Sequence, residues 1–231
     1  MEERLCGTGY CMMKLSFGNK GSGPLTVLCL GAHSDDIEIG CGATLLQLRQ
    51  SDAKPRFCWV VLSANETRKA EAQKAAELFA AGCETELIVK EFRDGYLPYD
   101  GAQVKDFFEV LKSRINPDLI FTHWQGDAHQ DHRLVSELTW NTFRNHLILE
   151  YEIPKIDGDM GRPNTFVALE EWAYREKVNN LCTIFESQQT KPWFSRETFL
   201  GLLRLRGMES NAPSGYAEAF YARKMMIESL A

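Results

Sequence analysis

Two short stretches of this sequence concentrate side chains able to do chemistry. The first, His33-Ser34-Asp35-Asp36, places an imidazole and two carboxylates on four residues; the second, Asp127-Ala128-His129-Gln130-Asp131-His132, adds two imidazoles and two more carboxylates. Neighbours on extended backbone point opposite ways, so Asp35 and Asp36 can divide the work, one binding a cation and the other facing a substrate. Each stretch alone has a plainer explanation. An Asp-Asp pair ahead of a helix commonly caps it, since carboxylate oxygens accept the free amides of the first turn, and a single surface histidine needs no role. Together, however, they hold three of the five histidines, His33, His129 and His132, the others being His123 and His146. Two imidazoles and a carboxylate around a divalent ion leave a position for water, which is the pattern of a catalytic rather than a structural metal site.

The elements between these stretches decide whether they can meet. Residues 25–30 form an apolar run of strand length, followed across the His33 loop by a helical pattern over 39–50. The unit repeats: strand 56–62, helix 67–81 closed by Gly82, strand 86–92, helix 103–115 ended by Asn116-Pro117, strand 119–122. Strands alternating with helices predict a Rossmann-like α/β fold, a mostly parallel central sheet with helices on both faces. Ligands of such sheets collect at the carboxyl ends of the strands. His33 to Asp36 follows the first strand and His123 to His132 the fourth, so both loops are expected on one rim. Further strands are expected near 147–154 and 165–170, helices near 173–186 and 197–209 with Ser195 as N-cap, and a last short helix over 217–226.

Composition narrows the classes. With 231 residues, 44% hydrophobic and 25% charged, the chain suits a single domain over 25–231 behind a flexible lead-in at 1–24. The net charge of −6, with Lys69, Lys74, Arg133 and Arg144 interleaved among acids, argues against nucleic acid as a partner. No run approaches the roughly 18 apolar residues of a membrane span, and the first 25 residues lack the apolar stretch of a signal peptide, so a cytoplasmic location is expected. The seven cysteines form no C-x-x-C pair and are read as reduced thiols, Cys41 included as a small buried hydrophobe. Gly40-Cys41-Gly42 sits where a dinucleotide loop would, but Leu45 replaces the third glycine and two carboxylates upstream would repel a pyrophosphate. These glycines are read as close-packing positions.

The residues resemble the PIG-L, or LmbE-like, N-acetylglucosamine deacetylases. Ala32-His33-Ser34-Asp35-Asp36-Ile37-Glu38-Ile39-Gly40 is similar to the family's A-H-P-D-D-x-E-x-G, and Asp127-x-His129-x-Asp131-His132 to its D-x-H-P-D-H. Weaker echoes are Arg68-x-x-Glu71, Ser187-Gln188, Arg206-Gly207 and Tyr216-Ala217-Glu218-Ala219-Phe220. Ser34 and Gln130 stand where the family has prolines, Ala43 where glycine is frequent, and Ser63-Ala64-Asn65-Glu66 where a threonine-glycine-glutamate segment is common. The resemblance implies one Zn²⁺ held by His33, Asp36 and His132, Asp35 as general base, and His129 as a second catalytic group; its neighbour Asp131 is expected to orient it and keep it protonated. It also implies an N-acetylated sugar as substrate and a trimeric or hexameric assembly. Arg68 resembles a substrate-contacting arginine, its plainer role being an i, i+3 partner of Glu71 on a solvated helix. Asp94 is a candidate for sugar hydroxyls, and Trp124, Tyr96 and Trp193 for the apolar face of a sugar ring. Two other readings stay open: the same ligand set holds non-haem Fe(II) in oxygen-using enzymes, and the loops could form a metal- or nucleotide-binding module without turnover.

Overall fold

The computed structural model describes residues 23–52 and 55–226; the expected lead-in up to Ser22, with Cys6 and Cys11, lies outside them. Five strands, β1 (Thr26–Gly31), β2 (Arg56–Val61), β3 (Thr85–Val89), β4 (Leu119–His123) and β5 (Leu147–Tyr151), alternate with helices α1 (Asp36–Arg49), α2 (Glu66–Phe79), α3 (Gly101–Arg114) and α4 (Gln130–Thr142). Then come β6 (Thr165–Ala168), α5 (Glu171–Ile184), a 3-10 turn (Glu186–Gln188), α6 (Arg196–Glu209) and β7 (Ala217–Tyr221). The strands make a sheet in the order β3-β2-β1-β4-β5-β7-β6. β1 to β5 are parallel where they pair, and β7 runs antiparallel to β5 and β6.

Strand alternation sorts the apolar residues into two cores. Val27, Cys29, Trp59 and Phe121 face a core shared with Ala72, Val178 and Phe199 of α2, α5 and α6. Leu28, Leu30, Val60 and Ile120 face the other, shared with Phe108 of α3 and Val135 of α4. Burial on both faces explains why these strands read as continuous apolar runs. Chain progression reverses between β1 and β4, since β2 and β3 extend the sheet one way and β5 the other. The loops leaving β1 and β4 therefore diverge and open a crevice at the carboxyl ends, the usual ligand position in such folds.

One element departs from expectation. The sequence pattern predicts a helix over 217–226, but Ala217–Tyr221 is a strand, with Tyr151 opposite Phe220 and Val167 opposite Glu218. Alanine and glutamate favour helix as isolated residues. The tertiary setting overrides that preference, because Phe220 enters the core and the buried Glu218 carboxylate is fully engaged. It accepts hydrogen bonds from the amides of Ala43 (2.9 Å) and Thr44 (2.7 Å), from Thr44 Oγ1 (2.5 Å) and from Lys177 Nζ (2.6 Å). Lys177 also donates to Ile39 O at 2.5 Å, so one ion pair ties α1, α5 and β7 together. The glycines of α1 are close-packing positions: a Cβ on Gly40 would run into the Tyr151 ring, and one on Gly42 into Phe79. Among the described residues no helix is long and apolar enough to cross a membrane.

Candidate metal centre and active site

The β1–α1 loop places His33, Asp35 and Asp36 at the crevice. α1 begins at Asp36 rather than near Ile39, because the Asp36 side chain turns back to accept the His33 amide at 2.7 Å. The loop after β4 ends in α4, whose N-cap is His129. This sets His132 in the first turn, facing the β1 loop from 99 positions away.

Three donors converge there. His33 Nδ1 lies 3.3 Å from Asp36 Oδ2 and 3.2 Å from His132 Nε2, and His132 Nε2 lies 3.5 Å from Asp36 Oδ1. The opposite ring nitrogens assign the tautomers. His132 Nδ1 faces Asp127 Oδ2 at 2.9 Å, and His33 Nε2 faces Asp94 Oδ1 at 3.1 Å and Asp131 Oδ2 at 3.3 Å. With those N–H groups committed to carboxylates, two imidazole lone pairs and a carboxylate point at one spot. Bonds of about 2.0–2.1 Å to a tetrahedral ion space its donors about 3.3–3.4 Å apart, a spacing matched by the two ring nitrogens at 3.2 Å and by each of them to one or other oxygen of Asp36. Three groups of potential ligands meet here: His33 with His129 and His132, Asp36 with His123 and His132, and His33 with Asp94 and Asp131.

The surrounding charges set the protonation of the site before an ion binds. Burial disfavours charge on His33, yet Asp36, Asp131 and Asp94 outweigh it and hold its pKa well above the usual imidazole value. Burial would likewise raise Asp36, but His132, His123 and His33 hold it well below the carboxylate range. Burial, then His123, lowers His132 to about 4, leaving a neutral ligand. Asp35 stands outside the triangle, its Oδ1 2.5 Å from Arg68 Nη2. Burial raises its pKa, with Arg68 opposing.

His33, Asp35, Asp36, Arg68, Asp94, His129 and His132 line one open pocket. Arg68 does not pair with Glu71; Glu71 instead accepts from Ser187 N (2.9 Å) and Oγ (2.7 Å). Asp131 requires a correction. Its carboxylate was expected to orient a protonated His129, but it accepts from the amides of Gly95 (2.8 Å) and Leu97 (3.1 Å) and contacts His33. Only the Asp131 amide reaches His129, donating to Nδ1 at 3.3 Å. Burial, then His33, lowers the His129 pKa, so this ring is a neutral Nε2–H donor.

Of the three aromatic candidates, Trp193 lines the pocket. Trp124 stacks on Tyr221 at 4.5 Å, and Tyr96 lies under Arg93. Sequence reasoning gave no role to His123, fully buried at the end of β4, whose Nε2 accepts the Ala32 amide at 3.0 Å and whose ring stacks on His132 at 3.9 Å. Its place at a strand's carboxyl end was the available signal. It also missed Lys155, 3.0 Å from Asp127 Oδ1 and 2.5 Å from Asp159 Oδ2, which sits in a glycine- and aspartate-rich loop that reads as solvated.

The family model of the GlcNAc-PI de-N-acetylases, PIG-L, matches residues 28–143, the span holding both histidine-bearing loops. The chain is 30% identical over 154 residues to the uncharacterized deacetylase YaiS of Escherichia coli K12, which covers 61% of this chain and 78% of YaiS. Its fold resembles that of GalB, the 4-carboxy-2-hydroxymuconate hydratase of Pseudomonas putida KT2440, with a TM-score of 0.70 and 17% identity over 90% of this chain and 100% of that one. It also resembles N,N'-diacetylchitobiose deacetylase from Pyrococcus horikoshii, with a TM-score of 0.60 and 19% identity over 84% and 82% of the two chains. Since a hydratase and a deacetylase share this architecture, fold alone does not choose the reaction.

Proposed function

The chain belongs to the PIG-L family, and from that premise we propose that it is a zinc-dependent hydrolase removing the N-acetyl group of an amino-sugar substrate. The observation that carries this reading is the triangle of His33, Asp36 and His132 with a second carboxylate, Asp35, immediately beside it and uncommitted to the ion. A binding module has no need of that spare base, whereas amide hydrolysis requires one.

A bound zinc ion supplies Lewis acidity, lowering the pKa of water to about 7 and polarising the acetamide carbonyl. Asp35 accepts the proton of water as it attacks that carbon and returns it to the departing amine, so the C–N bond breaks with a neutral leaving group. His129 donates Nε2–H to the carbonyl oxygen as negative charge develops there, a contribution of about 3 kcal/mol for one well-placed donor. Its Nδ1, occupied by the Asp131 amide, fixes that proton on the nitrogen facing the pocket. Arg68 holds Asp35 in place, Asp131 and Asp127 hold the rings of His33 and His132, and Asp94 on the rim meets sugar hydroxyls with its exposed edge.

The test is acetate and free-amine release from a panel of N-acetyl sugars by zinc-loaded protein and its Asp35→Asn variant. The variant is expected to keep its zinc and lose about 10²–10⁴-fold in kcat. Comparable turnover in the variant overturns the assignment of the base. Oxygen consumption without acetate release would move the chain to the Fe(II) enzymes.

A further inference from the structure

Three cationic side chains line the pocket, Arg68, Lys155 and Lys191. Arg68 is spent on Asp35 and Lys155 on Asp127 and Asp159. Among the described residues, Lys191 has no carboxylate within 4.0 Å, and its ammonium rests 5.4 Å from the centre of the Trp193 ring. We propose that Lys191, poised over Trp193, selects amino sugars that carry an anionic substituent, a carboxylate or a phosphate, at the mouth of the pocket. This rests on the deacetylase reading of the same site and goes beyond it in naming the chemistry of the substrate's remainder.

The support for Lys191 is stiff. Trp193 packs edge-on against Phe194 at 5.6 Å, and Phe194 against the buried Phe199 at 5.0 Å. The segment is pinned at its start, where the Lys191 amide donates to Gln188 O at 2.9 Å. The turn holding Gln188 is bolted to α2 through the two hydrogen bonds from Ser187 to Glu71. Glu71 is one helical turn from Arg68, so the platform under Lys191 and the clamp on Asp35 share one support. Lys191 acts on Asp35 at a distance, but no pocket acid holds its ammonium in a direct ion pair: Asp35 is paired with Arg68, Asp36 with His33 and His132, and Asp94 with His33. An exposed ammonium costs nothing while solvated and gains charge-assisted hydrogen bonds when a substrate anion is brought to it. A neutral sugar gives it only hydroxyls, while the Trp193 face accepts either ring.

The experiment is calorimetric titration of the zinc-loaded His129→Ala protein, slowed in turnover but with the Asp35–Arg68 pair intact, with and without Lys191→Gln. The ligands are methyl N-acetylglucosaminide, N-acetylglucosamine 1-phosphate and N-acetylmuramic acid. At least one anionic sugar is expected to bind roughly tenfold more tightly than the neutral one; which one distinguishes phosphate from carboxylate. Lys191→Gln should bring that ratio to within about twofold, and Lys191→Arg should restore it. Equal binding of all three sugars overturns the proposal. So does an advantage that persists in Lys191→Gln, the behaviour of an anion that merely coordinates the metal. Acetate release from the unsubstituted protein is read separately: anion selectivity without any release would sink the deacetylase reading alone, and release without selectivity would sink the role of Lys191 alone.

Discussion

The Nε2 atom of His132 and the Nδ1 atom of His33 face each other at 3.2 Å, each on a ring whose other nitrogen is held by a carboxylate. Without an ion this contact is a hydrogen bond that needs a proton on His33, which its raised pKa allows; a bound ion displaces that proton and adds its own binding free energy to the folded state. Stripping the protein with a chelator is therefore expected to cost stability. An ion present at about 1,000 times its Kd contributes about 4 kcal/mol, which for a chain of this size is about 8–16 °C in Tm. Scanning calorimetry before chelation, after it, and after return of zinc, iron(II) or manganese reads this out and ranks the metals. An unchanged Tm would mean that the loops hold no ion.

Asp127 acts on the ion only through His132, whose Nδ1 it meets at 2.9 Å. Carboxylates in this position typically account for 10–100-fold in metal affinity. Asp127→Ala should lose zinc to a competing chelator by about that factor while the fold stays intact. Unaltered zinc affinity would show that the contact orients nothing.

Arg68 stands beside Asp35, where it opposes the rise in pKa that burial imposes. Without the guanidinium the Asp35 carboxyl should hold its proton to higher pH. Because the base works only when deprotonated, the acid limb of kcat/KM in Arg68→Met should move upward. Arg68→Lys should restore part of the shift. A change confined to KM, with the acid limb in place, would make Arg68 a substrate contact and nothing more.

How far this site was legible depends on how local each signal is. His33, Asp36 and His132 occupy compact motifs at strand ends, and the alternation of apolar strands with helices sufficed to put both on one rim. His123 gave no such signal, because a lone histidine closing a strand gains meaning only when the Ala32 amide and the His132 ring arrive from elsewhere. Asp131 departs from expectation for a related reason: adjacency to His129 suggests a partner, but a helix start sends the two side chains in different directions, Asp131 toward the 94–97 loop. β7 was hidden because Glu218 looks like surface until Lys177 is seen buried beside it.

That pair supports the last prediction. Lys177 and Glu218 are each about 2% exposed and 2.6 Å apart, and removing one member of a buried pair leaves the other charge uncompensated, at a cost of about 3–5 kcal/mol. Lys177→Met should lower stability by that amount in urea titrations. Replacing both residues, Lys177→Met with Glu218→Gln, should recover a large part of it, since no naked charge then remains and the side-chain amide introduced by the second substitution still offers an acceptor to Thr44. The zinc content of the folded fraction should stay constant throughout, because neither side chain touches the metal ligands. A loss below about 1 kcal/mol for Lys177→Met would show that β7 is held by Phe220 and its strand pairing rather than by the ion pair.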